Sequence, residues 1–468
     1  MCATWRVPLG LIPVTAAIAV SSAAKPSHMN QVIPGDRYKR RANLTRRQKL
    51  ALVIFVVAVA ARLGFVAVCG SIATPDTAGY QLLAQNLVHF HAFSASEKPP
   101  LQTAIFRPPV YPFFLALLSP AGHPAIIPAI AQGVLDALVC AMLFLMASRV
   151  ARPPFAVAVS LLYALHPGAI AASATLLSDA LFTALLFAAG CLAMMAAERM
   201  SSTLALFSGV TFGLATLCRS IGVLVLIAVA CVLIVRRFRR MALVLALGAV
   251  ILIAPWIVRS SRVAGRFVFI QAPSFINWYV PTLWWIDQND ETAIWRYFYI
   301  EDPYGVRLNA SATPAEVMRA EDFGRSQAIV NVRRNPGNYL LSRARAFPHL
   351  FLSTFDRFTG INRSLGDVAR VHDVGSLAIK LALMLLFTAL PMVAACLGLS
   401  ASRRTLAASL AAAVWIVTLA VHIPMWIEFR YWLPAMPFQF VTAAIGLEVA
   451  FDRDRSRSRP FTATGRPS

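Results

Sequence analysis

Two carboxylates lie beside long apolar segments, where ionisable side chains are costly to place. Asp76 follows the first apolar segment, and Tyr80 comes four residues later, so both share one face of any helix formed there. Asp179 lies at the start of a later apolar segment. A carboxylate in such a place can act as a general base on a hydroxyl group. The plainer alternative is that Asp76 only caps the helix.

Arginines and tyrosines recur at the ends of other apolar segments. Arginine is a planar, permanently charged donor that neutralises a phosphate as it becomes a leaving group. The plainer alternatives are that Arg107 snorkels to the bilayer surface as an anchor, and that Arg62 and Arg219 pair with carboxylates inside the bundle. The residues selected on this basis are Arg107, Tyr111, Arg219, Arg259, Arg430 and Tyr431.

The elements that position these residues are membrane helices. The chain has 468 residues, of which 58% are hydrophobic and only 14% charged, whereas a soluble chain carries about 25% charged residues. About ten apolar runs are long enough to approach a membrane span, which predicts an all-α polytopic membrane protein. The runs are 50–72, 124–147, 155–165, 172–197, 204–217, 221–235, 242–258, 376–399, 406–424 and 433–450.

Lysine and arginine cluster on one side of this predicted bundle, which the positive-inside rule makes the cytoplasmic side. This distribution accounts for the net charge of +22 without a nucleic-acid partner. Residues 1–49 then form a basic cytoplasmic leader, of which 1–28 are expected to be dispensable. Residues 50–259 form a catalytic module with an external loop at 73–123.

The rest of the predicted organisation follows the same alternation. Residues 260–375 form a mainly helical external domain, with several tryptophans near its start and a helix from Pro314 to about Asn335. Residues 376–450 hold the last spans, and 451–468 form a basic cytoplasmic tail. The seven cysteines are scattered without a pairing pattern, and the chain has no Walker A loop and no zinc-protease motif.

The motifs, taken in order, resemble those of GT-C membrane glycosyltransferases. The similar branch is the dolichyl-phosphate-mannose protein mannosyltransferase-like family that includes the bacterial lipid A aminoarabinose transferase. The resemblance covers roughly residues 50–449. It is carried by Asp76-x-x-x-Tyr80, Arg107-Pro-Pro-x-Tyr-Pro, Ser178-Asp179-Ala-Leu-Phe, Gly213-Leu-Ala-Thr-Leu-Cys-Arg219, Pro255-Trp-Ile-Val-Arg259 and Arg430-Tyr-Trp-Leu-Pro434.

The resemblance implies transfer of a sugar from a polyprenyl-phosphate donor, with inversion, to a lipid A, glycan or protein acceptor in the periplasm of a bacterium. It makes Asp76 and Asp179 the catalytic carboxylates. It assigns the donor phosphate to Arg107, Arg259 and Arg430. Tyr80, Tyr111, Arg219 and Tyr431 are then expected to bind substrate. The aminoarabinose branch has acidic and basic neighbours where this chain has Thr77, Gly79 and Phe106, so a divalent metal and the donor sugar stay open.

Two other functions remain as alternatives at this point. A transporter or lipid flippase also places charges inside a membrane, although the two halves of this chain show no inverted repeat. A polysaccharide polymerase or ligase also uses external arginines, but gives no reason for a carboxylate directly after the first span.

Overall fold

The structure is a computed structural model that describes residues 45–119, 125–272, 276–285, 312–351, 368 and 370–457. The predicted leader up to residue 44 and the end of the predicted tail lie outside these residues. Across the described ranges the backbone is helical with connecting loops, and its only β-structure is two isolated bridges, Ile72 with Thr175 and Ser94 with Thr103.

The first half of the chain contributes ten helices. They are α1 (Arg46–Cys69), α2 (Pro75–Phe90), α3 (Val110–Leu118), α4 (Ile126–Ala147), α5 (Pro153–Ala164), α6 (Pro167–Ala174), α7 (Ser178–Glu198), α8 (Ser202–Cys218), α9 (Gly222–Val235) and α10 (Arg239–Ala264). The second half contributes α11 (Ile276–Tyr279), α12 (Pro314–Arg334), α13 (Pro336–Ala346), α14 (Val374–Leu399, with a π-turn inside it), α15 (Leu406–His422) and α16 (Met436–Arg457).

Each of the ten apolar runs listed above is helical over most of its described residues, so the predicted all-α bundle is confirmed. Five described helices are long and apolar enough to cross a bilayer: α1, α4, α7, α10 and α14. The pair α5 and α6 is bent by 47° and counts as a sixth if taken as one span. The other apolar helices are shorter. α9, for example, has 14 residues, or about 21 Å at 1.5 Å per residue.

The bend between α5 and α6 has a local cause. The proline at position 167 cannot continue a helix from the preceding turn, because it has no backbone N–H. His166 caps the new helix, and its Nδ1 accepts a hydrogen bond from the backbone N–H of Ala169 at 3.2 Å. The helix therefore breaks at Pro167, and α7 begins at Ser178, six residues later than the apolar run that starts at residue 172.

A buried ion pair ties three helices of the bundle together. The Nε of Arg62 in α1 donates to the Asp136 carboxylate in α4 at 2.7 Å, and Arg62 is 0% exposed. Tyr163 in α5 donates to the other carboxylate oxygen at 2.8 Å. Arg62 also donates to the carbonyl of Ala164 at 2.8 Å. The sequence alternative that Arg62 pairs with a carboxylate is thus the arrangement observed.

Glycines bring two helix pairs into backbone contact. A Cβ atom at Gly209 of α8 would overlap the carbonyl oxygen of Leu245 in α10. A Cβ atom at Gly446 of α16 would likewise overlap the carbonyl oxygen of Ala394 in α14. Only glycine permits approaches this close, so each pair is locked at its crossing point.

One end of the bundle is basic. Arg46 and Arg47 begin α1. At the ends of other helices Arg149 pairs with Glu198, and Arg152 pairs with Glu448 at 2.9 Å. Asp76 follows the far end of α1, a helix of 24 residues and therefore about 36 Å long. The candidate site described next lies at this far end.

Two helices of the long segment between α10 and α14 belong to the same end. α12 starts with a capping box, in which Thr313 and Glu316 satisfy each other's backbone N–H groups. α13 is fixed to the chain just after α15. Its Tyr339 hydroxyl donates to the carbonyl of Pro424 at 3.1 Å, and its Arg343 donates to that of Met425 at 2.7 Å.

Candidate active site

Asp76 is not the cap of its helix. The N-cap of α2 is Thr74, whose backbone N–H donates to the Thr77 hydroxyl at 2.9 Å. Asp76 lies in the first turn, where the positive end of the helix dipole favours a carboxylate. Because Thr74 and Thr77 perform the capping, both oxygens of Asp76 remain available for other partners.

Two arginines from distant parts of the chain bind these oxygens. Arg107 donates to Oδ1 of Asp76 at 2.7 Å, and Arg430 donates to Oδ2 at 3.0 Å. The three side chains are partly exposed, between 22% and 28%. The structure thus brings together three of the residues selected from the sequence, although 354 residues separate Asp76 from Arg430.

Aromatic rings hold Arg107 in place. Its guanidinium carbon lies 4.7 Å from the centroid of the Tyr80 ring, within the range of a cation–π contact. Tyr80 in turn meets the edge of Tyr111 at a centroid distance of 4.9 Å. The Tyr111 hydroxyl donates to Gln132 of α4 at 2.8 Å. Tyr80 and Tyr111 therefore support the arginine from the side of the bundle.

Arg430 lies in a short turn of 3₁₀ helix, Phe429–Tyr431, that is clamped on both flanks. The Phe429 ring stacks on His166 at 5.9 Å, and the Tyr431 ring stacks on His422 at 5.3 Å. Gly168 leaves the space for this turn, because a Cβ atom there would lie 2.5 Å from the Phe429 ring.

Glu428 is a further carboxylate at this site, and it was not among the residues selected from the sequence. Its Oε2 lies 2.5 Å from Nε of Arg430, and its Oε1 accepts from Nη2 at 3.2 Å. The signal that could have found it is its position two residues before an arginine already selected.

The two arginines set the protonation state of Asp76. Partial burial by itself raises the pKa of the Asp76 carboxyl. The positive charges of Arg107 and Arg430, together with their hydrogen bonds, outweigh that effect and hold the pKa well below its usual range. Asp76 is therefore an ionised hydrogen-bond acceptor at neutral pH.

A second carboxylate–arginine pair lies next to the first. Asp179, in the first turn of α7, pairs with Arg219, which follows α8. The guanidinium carbon of Arg219 lies 5.2 Å from the centroid of Tyr431, and that of Arg430 lies 5.4 Å from the same ring. The Tyr431 ring thus lies close to both arginines. A narrow cleft opens beside Arg219, with Phe182, Leu186, Val225 and His422 among its lining residues.

Arg259 has different partners. It donates to the carbonyl of Ala104 at 2.7 Å, and its guanidinium carbon lies 4.5 Å from the Trp256 ring and 5.1 Å from the Phe93 ring. These contacts fix the loop that leads to Arg107. Arg259 is not among the arginines that hold Asp76 or Asp179.

The predicted tryptophan cluster is described in part. Trp284 and Trp285 pack edge to face at 5.6 Å and are 42% and 51% exposed. Trp278 is 40% exposed, and Trp295 lies outside the described residues. The exposed rings present flat apolar faces at the site end of the bundle.

The donor set does not fit a divalent metal ion. Within the described ranges, no three His, Cys, Asp or Glu side chains come together. Both oxygens of Asp76 are occupied by guanidinium groups, which are cations themselves.

Comparison of the sequence and of the fold with known proteins shows which class this chain resembles. Residues 106–258 match the family of dolichyl-phosphate-mannose-protein mannosyltransferases. The apo oligosaccharyltransferase of Archaeoglobus fulgidus has the same fold, with a TM-score of 0.50 and 14% identity over 93% of this chain and 54% of that one. The resemblance to the GT-C class that the motifs indicated is confirmed, and the chain is a multi-pass membrane protein with a GT-C fold.

Other solved structures match at lower similarity. One is the A. fulgidus oligosaccharyltransferase AglB in complex with an inhibitory peptide and a dolichol-phosphate, with a TM-score of 0.47, 14% identity and coverage of 90% and 52%. Another is ArnT from Cupriavidus metallidurans bound to undecaprenyl phosphate, with a TM-score of 0.38, 15% identity and coverage of 86% and 77%. The chain spans about half the length of the oligosaccharyltransferases. No curated protein sequence matches it.

Proposed function

We propose that this chain is an integral-membrane glycosyltransferase that moves a sugar from a polyprenyl-phosphate donor to an acceptor hydroxyl, with inversion at the anomeric carbon. The observation that carries the proposal is the carboxylate of Asp76 held between Arg107 and Arg430. Two arginines beside one ionised carboxylate suit a reaction that needs a bound phosphate leaving group and an activated nucleophile at the same point.

The donor phosphate competes with Asp76 for the two guanidinium groups. When a phosphate oxygen accepts hydrogen bonds from Arg107 and Arg430, Asp76 loses partners, and its pKa rises from the depressed value of the unliganded site. Binding of the donor therefore makes Asp76 a better proton acceptor at the moment when one is needed.

The transfer is then a single displacement. The acceptor oxygen forms a bond to the anomeric carbon as the bond from that carbon to the phosphate oxygen breaks. The acceptor proton passes to Asp76, and from there to solvent or to the departing phosphate. Arg107 and Arg430 neutralise the charge that develops on the phosphate. The products are the glycosylated acceptor and polyprenyl phosphate.

The second pair and the tryptophans suit the acceptor. Asp179 and Arg219 offer an acceptor and a donor of hydrogen bonds next to Tyr431. The exposed rings of Trp284 and Trp285 offer flat faces on which sugars stack. We assign acceptor binding to these residues, whether the acceptor is lipid A, another glycan or a protein.

The positive-inside rule places the basic end of the bundle in the cytoplasm. The site then faces the external leaflet, which is the periplasmic face of the inner membrane if the source is a bacterium. This orientation suits a donor whose phosphate lies at the membrane surface while its polyprenyl chain stays in the bilayer.

The test is a transfer assay with purified protein in liposomes, a panel of polyprenyl-phosphate sugars and a membrane extract as acceptor. Mass spectrometry measures the polyprenyl phosphate that is released. We expect release by the wild type and a loss of about 100-fold to 10,000-fold in Asp76→Asn. The control is Asp322→Asn, which removes a carboxylate whose oxygens each lie 2.9 Å from Arg266, away from the site.

Each result has a definite meaning. Normal release by Asp76→Asn contradicts the role of that carboxylate. Movement of the donor across the bilayer without release of polyprenyl phosphate contradicts the transferase and supports a flippase.

A further inference from the structure

Glu428 has no part in the proposed transfer, although its carboxylate lies against Arg430. Within the described residues the Glu428 carboxylate pairs and hydrogen-bonds with Arg430, and its side chain is 33% exposed. Arg430 already has a partner in Asp76 at 3.0 Å. Glu428 is thus a second carboxylate on the same arginine, and its Oε2 lies beside the buried Nε of that arginine.

The geometry of that contact leaves Arg430 able to bind an anion. Glu428 faces the edge of the guanidinium formed by Nε and Nη2, whereas Asp76 accepts from Nη1. The edge of the guanidinium group between Nη1 and Nη2 is not the edge that Glu428 faces. A phosphate that displaces Asp76 would therefore bind the edge between Nη1 and Nη2 with Glu428 still in contact.

The charges at the site balance. Two carboxylates, Asp76 and Glu428, face two guanidinium groups, Arg107 and Arg430, so these four side chains sum to zero. The donor is a phosphodiester with one negative charge. The product is a phosphomonoester whose second pKa is about 6, so near neutral pH it carries between one and a half and two negative charges.

A site with only two arginines would bind the product more tightly than the donor, and turnover would be slowed by product release. We infer that Glu428 opposes tight binding of the product. It is a specificity-determining residue that weakens binding of the phosphomonoester product relative to the phosphodiester donor. The inference rests on the function proposed above. Like charges repel in proportion to their product, so the dianion is penalised about twice as much as the monoanion.

A simpler role for Glu428 would be to hold Arg430 in position. That role predicts weaker binding of both phosphates after substitution, equally at every pH. The role inferred here predicts tighter binding, more for the monoester than for the diester, and only where the monoester carries its second charge. The other charged groups near Arg430 among the described residues are Asp76, Arg107, and Arg219 with its partner Asp179. Tyr80 and Tyr431 are neutral neighbours, and the titratable rings of His166 and His422 stack on the two residues that flank Arg430.

The experiment measures binding without turnover. The probes are undecaprenyl phosphate, a monoester, and its methyl ester, a diester with one charge. Dissociation constants are measured in detergent for wild type and Glu428→Gln at about pH 5 and about pH 7.5, on either side of the second phosphate pKa of about 6. The matched control is Glu448→Gln, whose carboxylate pairs with Arg152 at 2.9 Å at the basic end.

We expect the ratio of monoester to diester dissociation constants to fall about tenfold in Glu428→Gln at the higher pH, and by less than about twofold at the lower pH. The control should leave the ratio unchanged at both. An unchanged ratio in Glu428→Gln, or weaker binding of both probes, overturns the inference. If Glu428→Gln does not fold, Glu428→Ala gives the same comparison.

The outcome also separates this inference from the proposed function. Wild type that binds neither probe and releases no polyprenyl phosphate contradicts the transferase itself. Wild type that binds the probes with a ratio equal to that of Glu428→Gln contradicts only the role of Glu428.

Discussion

The buried pair between Arg62 and Asp136 gives a prediction whose size follows from its surroundings. Arg62 is 0% exposed, and Asp136 accepts from Arg62 at 2.7 Å and from Tyr163 at 2.8 Å. Replacing Asp136 alone with leucine leaves a guanidinium group in an apolar bundle without a counter-charge. We expect this to lower the free energy of unfolding by about 3–5 kcal/mol.

Replacing both partners with leucine removes the stranded charge. The Tyr163 hydroxyl loses its acceptor here as it does in Asp136→Leu, and the Ala164 carbonyl loses the hydrogen bond from Arg62. Each of these unpaired groups costs about 1–3 kcal/mol, which is less than the stranded charge. The double variant Arg62→Leu/Asp136→Leu should therefore be more stable than Asp136→Leu. The coupling energy between the two sites should exceed about 2 kcal/mol.

Chemical unfolding in mild detergent measures these differences in a double-mutant cycle. The control cycle uses Arg149 and Glu198, whose side chains are each 39% exposed. Exposed pairs of this kind contribute only about 0–1 kcal/mol. If the two cycles give equal coupling, or if the double variant loses as much as the sum of the single variants, the assignment of a purely structural role is wrong.

The same double variant bears on function. A glycosyltransferase whose chemistry takes place at Asp76 should keep its release of polyprenyl phosphate once the bundle is stable. A transporter whose path runs through the buried charges should lose its activity even when the protein is folded.

Two further predictions concern the site. The pKa of Asp76 in the folded state lies below its value of about 3.9 in the unfolded state. The ion pairs of Asp76 therefore contribute stability that is fully present above about pH 5 and is lost as the pH falls below about 4. The difference in melting temperature between wild type and Asp76→Asn should therefore be constant between about pH 5 and pH 7, and it should shrink in acid. Gly168→Ala should displace the turn that carries Arg430, because the new Cβ lies 2.5 Å from the Phe429 ring. The release assay should show about a tenfold loss, part of which Phe429→Leu in the same chain restores, and failure of that rescue would contradict the steric reasoning.

Hydropathy predicted the helices well because each span has to bury its own apolar length in the bilayer. Hydropathy did not predict where each helix begins and ends, because single residues determine those positions. The run that begins at residue 172 gave no sign that α7 starts at Ser178, since residues 167–174 form a separate apolar helix. Length was the other difference, because α9 is apolar throughout yet has only 14 residues.

The sequence was enough to select the residues of the site, but it did not show which carboxylate pairs with which arginine. Asp76 and Arg107 are 31 residues apart, and Asp76 and Arg430 are 354 apart. Nothing in the local pattern says which of several arginines reaches a given carboxylate. Asp136 was overlooked because a lone acid inside an apolar run gives no hint of Arg62, 74 residues earlier. Whether the selected residues do the chemistry remains a prediction for the assays above.

The glycine crossings described for α8 with α10 and for α14 with α16 have a mechanical consequence. Helices whose backbones touch cannot slide or separate without breaking close packing along the whole crossing, so each pair moves as a single stiff body. The long tail of the proposed polyprenyl-phosphate donor would lie in the bilayer, so we expect it to enter from the side, between two helices that lack such a crossing. The seam between α9 and α15, which borders the cleft at Arg219, lies outside both locked pairs.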